Sequence, residues 1–342
     1  MIQCVLLALG AATLHTNNQL WSDVGSKLGL SSTLAATLHW FLKWVLSVWA
    51  LFEANWTLNR WADRRWRFFT DKSVWDWKSE VAVVTGGSAG IGAYVVKKLV
   101  SHGTRVAVLD VSPLSDVFTK DELALIRFYR CDVTSQDDIR QAAEALRSDF
   151  GHPSILVNNA GIGNAWPILD IPYARLQSMF NINVMSHWIT VQEFLPDMLK
   201  KKKGHIMTVA SLASFATVAG AVDYSCAKAA ILAFHEGLTL ELKHRYNCPE
   251  ILTSVIHPHW TKSAITAHSS IARGLEKQGG RLWEADDVAD TMVKQIVAAK
   301  SGQIRLGPPF VSTLRALPTW LQEGIRDSQA YIVTGSGSTG KG

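Results

Sequence analysis

The chain of 342 residues is short of several things. It has four cysteines, Cys4, Cys131, Cys226 and Cys248, widely scattered and with no CxxC pair. That argues against a disulfide framework and for a reducing compartment. No Cys and His spacing matches a metal site, so no metal is expected. Charged residues make up only 18%, and the net charge of +5 gathers in no dense basic stripe. Nucleic acid is therefore not an expected partner. No internal repeat is evident. The apolar stretches at 1–14 and 34–52 lack a positively charged start and a small-residue cleavage site, so a removable signal peptide is not expected.

What the chain does have is apolar and aromatic. Hydrophobic residues make up 48%, and the mean hydropathy of +0.09 is high for a soluble enzyme. Nine of the fourteen tryptophans precede residue 78. Residues 34–52 form an apolar run of nearly bilayer length, but His39 and Lys43 make it a poor clean span. Asn55–Phe69 then mixes Trp and Phe with Arg60, Arg64, Arg65 and Arg67. Rings beside arginines suit a helix in the headgroup region. Residues 1–78 therefore read as a membrane-associated helical leader; the alternative is a soluble helical extension. The positive net charge is compatible with an anionic lipid surface.

Past residue 78 the composition changes, and strands alternate with helices up to about residue 300. That pattern predicts a parallel sheet covered on both faces. Expected strands are Val81–Val84, Arg105–Leu109, Arg127–Tyr129, Ile155–Val157, His205–Val209, Leu252–Ile256 and Gln303–Leu306. A long helix is expected over Tyr173–Met198, with Lys200–Lys203 as its solvated end and Gly204 as its stop. The centre of the region is TGGSAGIG at 85–92, between the first strand and a helix. Glycines there permit positive φ and close approach of a ligand. The helix N-terminus beyond offers free N–H groups to a pyrophosphate. Asp110 ends the next strand, about 20 residues on, where an acid holds adenosine ribose hydroxyls.

Tyr224 and Lys228 stand four apart on an expected helix, so they share a face. A phenol is a poor base near neutrality, with a reference pKa of about 10. A neighbouring ammonium favours its phenolate. Tyr224 could then take an alcohol proton while hydride leaves, or return it in reduction. Ser211 stands at a strand end upstream.

TGGSAGIG, Asp110, CDV at 131–133, NNAG at 158–161, Asn183, Ser211 and YSCAK at 224–228 fall in one order. In that order, over about residues 79–265, the chain resembles the short-chain dehydrogenase/reductase family. GHIMTVAS and the apolar leader look most like its membrane-associated retinol and hydroxysteroid dehydrogenase-like branch. The resemblance implies a doubly wound parallel α/β sheet of Rossmann type, here with an N-terminal hydrophobic helical extension. It implies that Ser211 hydrogen-bonds the substrate oxygen and that Asn183 holds a water linking Lys228 to solvent, with Asn181 the competing candidate. It places Gly86, Ser88, Gly90, Ile91 and Gly92 around the phosphates, and Asp132 and Val133 at the adenine. Asn159, Ala160 and Gly161 would line the riboses. Lys228 would also bond the nicotinamide ribose, and Thr261 would meet the carboxamide or phosphates. The family's Pro-Gly after the sixth strand is Pro258-His259 here. His257 and His259 read as satisfied loop histidines, with a part in catalysis as the alternative, and Cys226 reads as packing.

The expected organisation is a leader at 1–78, a nucleotide-binding catalytic domain at 79–300, and an apolar cap with a disordered tail at 301–342. Lys262–Arg281 covers the position of a substrate lid, and 308–333 caps the pocket or touches the membrane. The expected activity is NAD(P)-dependent interconversion of an alcohol and a carbonyl on an apolar substrate: a sterol, retinoid, polyketide or terpenoid. The rivals are a ketoreductase for long-chain acyl or sphingoid-base carbonyls, and a non-catalytic NAD-sensing scaffold on a lipid surface. NAD is the expected cofactor, since Asp110 disfavours the 2′-phosphate of NADP; NADP stays open. The expected location is the endoplasmic reticulum or a lipid droplet, with the catalytic domain facing the cytosol. A second copy of the chain stays open as a partner, because nothing in the sequence fixes the oligomeric state.

Overall fold

In a computed structural model of the chain, the described residues are 7, 10, 12, 15, 18–63, 66, 72–267, 271, 272, 275, 282–330 and 333. The tail at 335–342 lies outside them. So do most of 1–14, most of 268–281 in the lid position, and 64, 65 and 67–69 of the arginine–tryptophan segment.

The chain divides into two units, Met1–Phe69 and Thr70–Gly342. In the first, α1 (Asn18–Lys27) turns at Gly29, with φ +69°, into α2 (Ser32–Asp63). The Trp21 ring stacks on His39 at 5.6 Å between centroids. Gly25 faces Ala35 so closely that a Cβ on Gly25 would lie 2.6 Å from the alanine's Cβ. The 32 residues of α2 include none that is buried. Trp40, Phe41, Leu51 and Phe52 stand exposed along it. It is long and apolar enough to cross a membrane, at about 48 Å against a hydrocarbon core of about 30 Å.

The second unit carries a seven-stranded parallel sheet in the order β3-β2-β1-β4-β5-β6-β7. The strands are β1 (Val81–Thr85), β2 (Arg105–Asp110), β3 (Ile126–Arg130), β4 (Ile155–Asn158), β5 (His205–Val209), β6 (Leu252–His257) and β7 (Gly302–Arg305). Each expected strand is present, with ends shifted by a residue or so. β1 shows why these short apolar runs form strands: all five residues are buried, and successive side chains point to opposite faces. Ala82 and Val84 meet α3 (Gly90–Ser101) and α9 (Ala285–Val297) through Val96, Leu99, Met292 and Ile296. Val81 and Val83 meet α5 (Gln136–Phe150), α7 (Ser186–Lys201) and α8 (Val222–His244) through Leu146, Phe194 and Leu242. This is the doubly wound fold. The short α4 (Lys120–Leu123) precedes β3, and α10 (Thr319–Gln329) closes the described chain.

Trp75 and Trp77, which composition grouped with the leader, belong to the second unit. Their rings stack at 5.2 Å, and both pack in the core below β1. Lys203, expected in a solvated run, pairs with the buried carboxylate of Glu80 and lies 4.9 Å from the Trp75 ring centroid. Glu80 also accepts from the Ser154 hydroxyl. The helix stop is Lys202, left-handed at φ +48°, rather than Gly204. Gly204 is needed for another reason: a Cβ there would lie 2.6 Å from Met198 Sδ.

The helix expected over Tyr173–Met198 is interrupted. It runs as α6 (Tyr173–Phe180), a π-helical turn (Asn181–Met185) and α7. Asn183 sits in that wider turn, fully buried. Its carboxamide makes two hydrogen bonds of 2.8 Å with the Ile162 backbone, accepting from N–H and donating to C=O. Single π-helical turns of this kind inside α-helices recur at functional sites.

Candidate active site

The glycine turn joins β1 to α3 as the spacing predicts. Gly86 takes φ +62°, and a Cβ on it would come within 2.8 Å of Ala160 Cα. Gly90 takes φ +56°, and a Cβ there would meet nothing nearer than Ser263 at 4.0 Å. That glycine leaves open space over the N-terminus of α3, the place for a phosphate. Gly92 acts differently. A Cβ on it would lie 2.1 Å from the Gly86 carbonyl oxygen, so it permits close packing within the turn.

A cavity of about 610 Å³ opens over this edge of the sheet. Of the expected site residues, Gly86, Gly90, Ile91, Asp110, Asp132, Val133, Asn159, Ala160, Gly161, Ser211, Tyr224, Lys228 and Thr261 line it. Ser88, Gly92 and Asn183 do not. The Ser88 N–H donates to Asp110 Oδ2 at 3.0 Å and its hydroxyl to the Ser112 carbonyl at 2.8 Å, which turns the side chain away. Asp110 Oδ1 accepts from the Ser112 N–H at 3.0 Å. Each carboxylate oxygen has a second lone pair for a ligand hydroxyl. Asn159 Nδ2 donates to the carbonyls of Thr85 and Gly86 at 3.1 and 2.9 Å, splinting the turn to β4. Asp132 Oδ1 accepts from the Thr134 N–H and hydroxyl, which holds the loop after β3.

At the β5 side Ser211, Tyr224 and Lys228 come together. The Ser211 hydroxyl accepts from the Ala213 N–H at 3.1 Å. Burial raises the Tyr224 phenol above its ordinary value, and the Ser211 side chain beside it opposes the rise. Lys228 Nζ donates to the Val209 carbonyl at 2.9 Å and lies 5.6 Å from the Tyr224 ring centroid. Burial lowers its pKa to about 8. Gly161 stands between Lys228 and Asn183. A Cβ there would fall 2.9 Å from Asn183 Oδ1 and 3.6 Å from Lys228 Nζ. Of the two candidate asparagines, Asn183 is thus beside the site, whereas Asn181 is exposed.

His259, where the family has glycine, avoids the left-handed region and lines the cavity. Burial lowers its pKa. The sequence reading missed Ala89, Cys131 and Asn164 as lining residues. It also left open where the C-terminal segment goes. Phe310, Val311, Leu314 and Ile325 line the cavity, so Pro309–Ala316 and α10 form part of its wall. Ile265 and Ile271 join them from the lid position.

Residues 80–273 match the short chain dehydrogenase family, over more than half of the chain. The chain belongs to the short-chain dehydrogenase/reductase family. Members of this family are oxidoreductases that use NAD or NADP, and this chain is one of those oxidoreductases. Among its relatives is dehydrogenase RED2 of Cochliobolus heterostrophus, 39% identical over 188 residues, covering 55% of this chain and 70% of that protein. Another is retinol dehydrogenase 10-B of Danio rerio, 30% identical over 197 residues, covering 51% of this chain and 58% of the relative. Aldohexose dehydrogenase of Thermoplasma acidophilum shares the fold at a TM-score of 0.57 and 18% identity, covering 68% of this chain and 92% of that one.

Proposed function

We propose that this chain is an NAD(H)-preferring oxidoreductase that interconverts an alcohol and a carbonyl on an apolar substrate, at a membrane or lipid-droplet surface. The observation that carries this reading is the meeting of Ser211, Tyr224 and Lys228 at a cavity whose remaining wall is mostly apolar. The substrate class is a sterol, retinoid, polyketide or terpenoid, and the retinol dehydrogenase relative favours an apolar alcohol.

Gly86, Gly90, Ile91 and the N-terminus of α3 would hold the dinucleotide's phosphates, and Asp110 its adenosine ribose. Asp132 and Val133 would hold its adenine, and Asn159, Ala160, Gly161, Lys228 and Thr261 the nicotinamide half. Bound there, it supplies the group that accepts or gives the hydride. Ser211 donates to the substrate oxygen and steadies its developing charge. Tyr224 exchanges one proton with that oxygen, taking it in oxidation and giving it in reduction. Lys228, protonated at neutral pH, favours the phenolate. Asn183 fixes the floor through Ile162 and keeps the way to Lys228 clear beside Gly161.

Two measurements test the reading. Against long-chain ketones and cyclic or allylic lipid alcohols, kcat/KM should be highest for the alcohols and should favour NAD(H) over NADP(H). A 2′-phosphate beside the Asp110 carboxylate costs about 4 kcal/mol at an effective dielectric near 20. Asp110→Ala should therefore move the preference toward NADP(H). A wild-type preference for NADP(H) overturns the assignment of Asp110. Cell fractionation should place the full chain with endoplasmic-reticulum membranes or lipid droplets through α2. Recovery wholly in the cytosol, without salt or detergent, overturns the surface assignment.

A further inference from the structure

His257 is the last residue of β6 and has no exposed surface. Its Nδ1 lies 3.0 Å from the carbonyl oxygen of Ser211. A carbonyl only accepts, so Nδ1 must carry the proton and donate. That fixes the tautomer and leaves Nε2 as a bare acceptor. Nε2 is buried and has no hydrogen-bond partner among the described residues. Leaving a ring nitrogen unpaired in the interior has a real cost. An apolar residue in its place would avoid that cost. The ring is therefore held at a penalty, and its single bond goes to the backbone of the serine at the cavity.

The neighbourhood of that bond is unusually constrained. Ala210 N–H donates to the Ile256 carbonyl at 2.8 Å, and Leu212 N–H to the Pro258 carbonyl at 3.1 Å. Those two bonds flank Ser211 on each side, and its own carbonyl is shared between the Ser214 N–H at 3.0 Å, within the turn, and His257, across to the strand. The Phe215 ring leans on the imidazole at 4.7 Å between centroids, and Leu306 N–H ties the His257 carbonyl to the strand beyond. Three hydrogen bonds thus clip the Ser211 turn to the end of β6 and the residue after it, and of these three only that of His257 is made by a side chain.

We propose that His257 is a positioning residue: its Nδ1–H, donated to the Ser211 carbonyl, holds the serine turn so that the Ser211 hydroxyl meets Tyr224. This rests on the reading of Ser211 and Tyr224 given above. The groups that bear on His257 are Lys228 from α8 and Arg305 from β7, both cationic. Burial first, and these two cations after it, lower its pKa to about 4 against the opposing pull of the Ser211 carbonyl. His257 is thus neutral at working pH and acts through geometry, without exchanging protons. Its loss reaches Tyr224 through Ser211, whose side chain opposes the rise that burial gives the phenol's pKa.

The test compares His257→Leu with His257→Asn, since the asparagine Nδ2 overlies the histidine Nδ1. For His257→Leu, kcat should fall by about 10²-fold, with dinucleotide affinity by fluorescence titration unchanged. The pH profile of kcat should move its Tyr224 limb to higher pH. His257→Asn should recover most of kcat and return the limb toward its wild-type position. Two outcomes overturn the proposal. In one, His257→Leu keeps both the wild-type kcat and the wild-type profile. In the other, His257→Asn is as impaired as His257→Leu while both bind dinucleotide normally. If Tyr224→Phe is itself fully active, the reading of the site fails first, and the two failures are told apart.

Discussion

Tyr224→Phe should lower kcat by about 10³-fold or more and leave dinucleotide binding nearly untouched. The substitution removes one oxygen and keeps the ring. That ring is one face of the wall shared with Ile162 and Ile231, so packing should survive. What goes is the oxygen to which the proposed mechanism gives the proton exchange with the substrate. The Ser211 hydroxyl keeps its bond from the Ala213 N–H. A steady-state assay in both directions, with a parallel fluorescence titration of bound dinucleotide, reads the two effects separately. Near wild-type turnover in the purified variant would remove Tyr224 from the mechanism.

Lys228→Met should do two opposite things: abolish most activity and stabilise the fold. The lysine is 4% exposed, and burial lowers its pKa from 10.5 to about 8. Below about 8 both folded and unfolded chains hold the proton, and the folded chain carries the full cost of a buried charge. Between about 8 and 10.5 the unfolded chain binds a proton that the folded chain has shed, so the wild type gains stability as pH rises. A methionine fills similar space without the charge but leaves the Val209 carbonyl unpaired. Netting the two gives about 2 kcal/mol in favour of the variant at pH 7, or about 5 °C in Tm. The advantage should shrink toward pH 10. Activity should fall by about 10²-fold, since the phenolate loses its cation. A variant no more stable at pH 7 than the parent would mean that the ammonium is better solvated than its burial implies.

The glycine turn and the strands were legible because their causes are local. A short apolar run of branched residues before a string of glycines is a strand meeting a turn, whatever surrounds it. Tyr224 and Lys228 were legible because helix spacing alone puts them on one face. The π-helical turn was not, since its cause is Ile162, a backbone partner 21 residues away. Gly92 and Ser88 carry the expected spacing, but a spacing does not tell which glycine faces a ligand and which faces its own loop. Lys203 looked solvated because its partner, Glu80, is 123 residues away. The tryptophans at 75 and 77 share their composition with the exposed ones of α2, and only burial separates them. The wall supplied by α10 was legible only as one of two alternatives, because an apolar stripe suits a pocket and a lipid surface equally.

The sheet order carries a consequence for how the protein comes into being. β1 pairs with β2 on one side and with β4 on the other. The bonds that shape the glycine turn, from the Asn159 and Ala160 backbone to Thr85 Oγ1, join positions 74 and 75 residues apart. Closing so long a loop is entropically slow, and nothing rewards it until the strands meet. While the ribosome has delivered only β1, α3, β2 and β3, Gly86 has no Ala160 to rest against and the nucleotide cradle has no second wall. Dinucleotide binding is then a property acquired in one step, late in synthesis. Nucleotide retention by chains released at successive lengths would mark the moment at which the two halves of the sheet close.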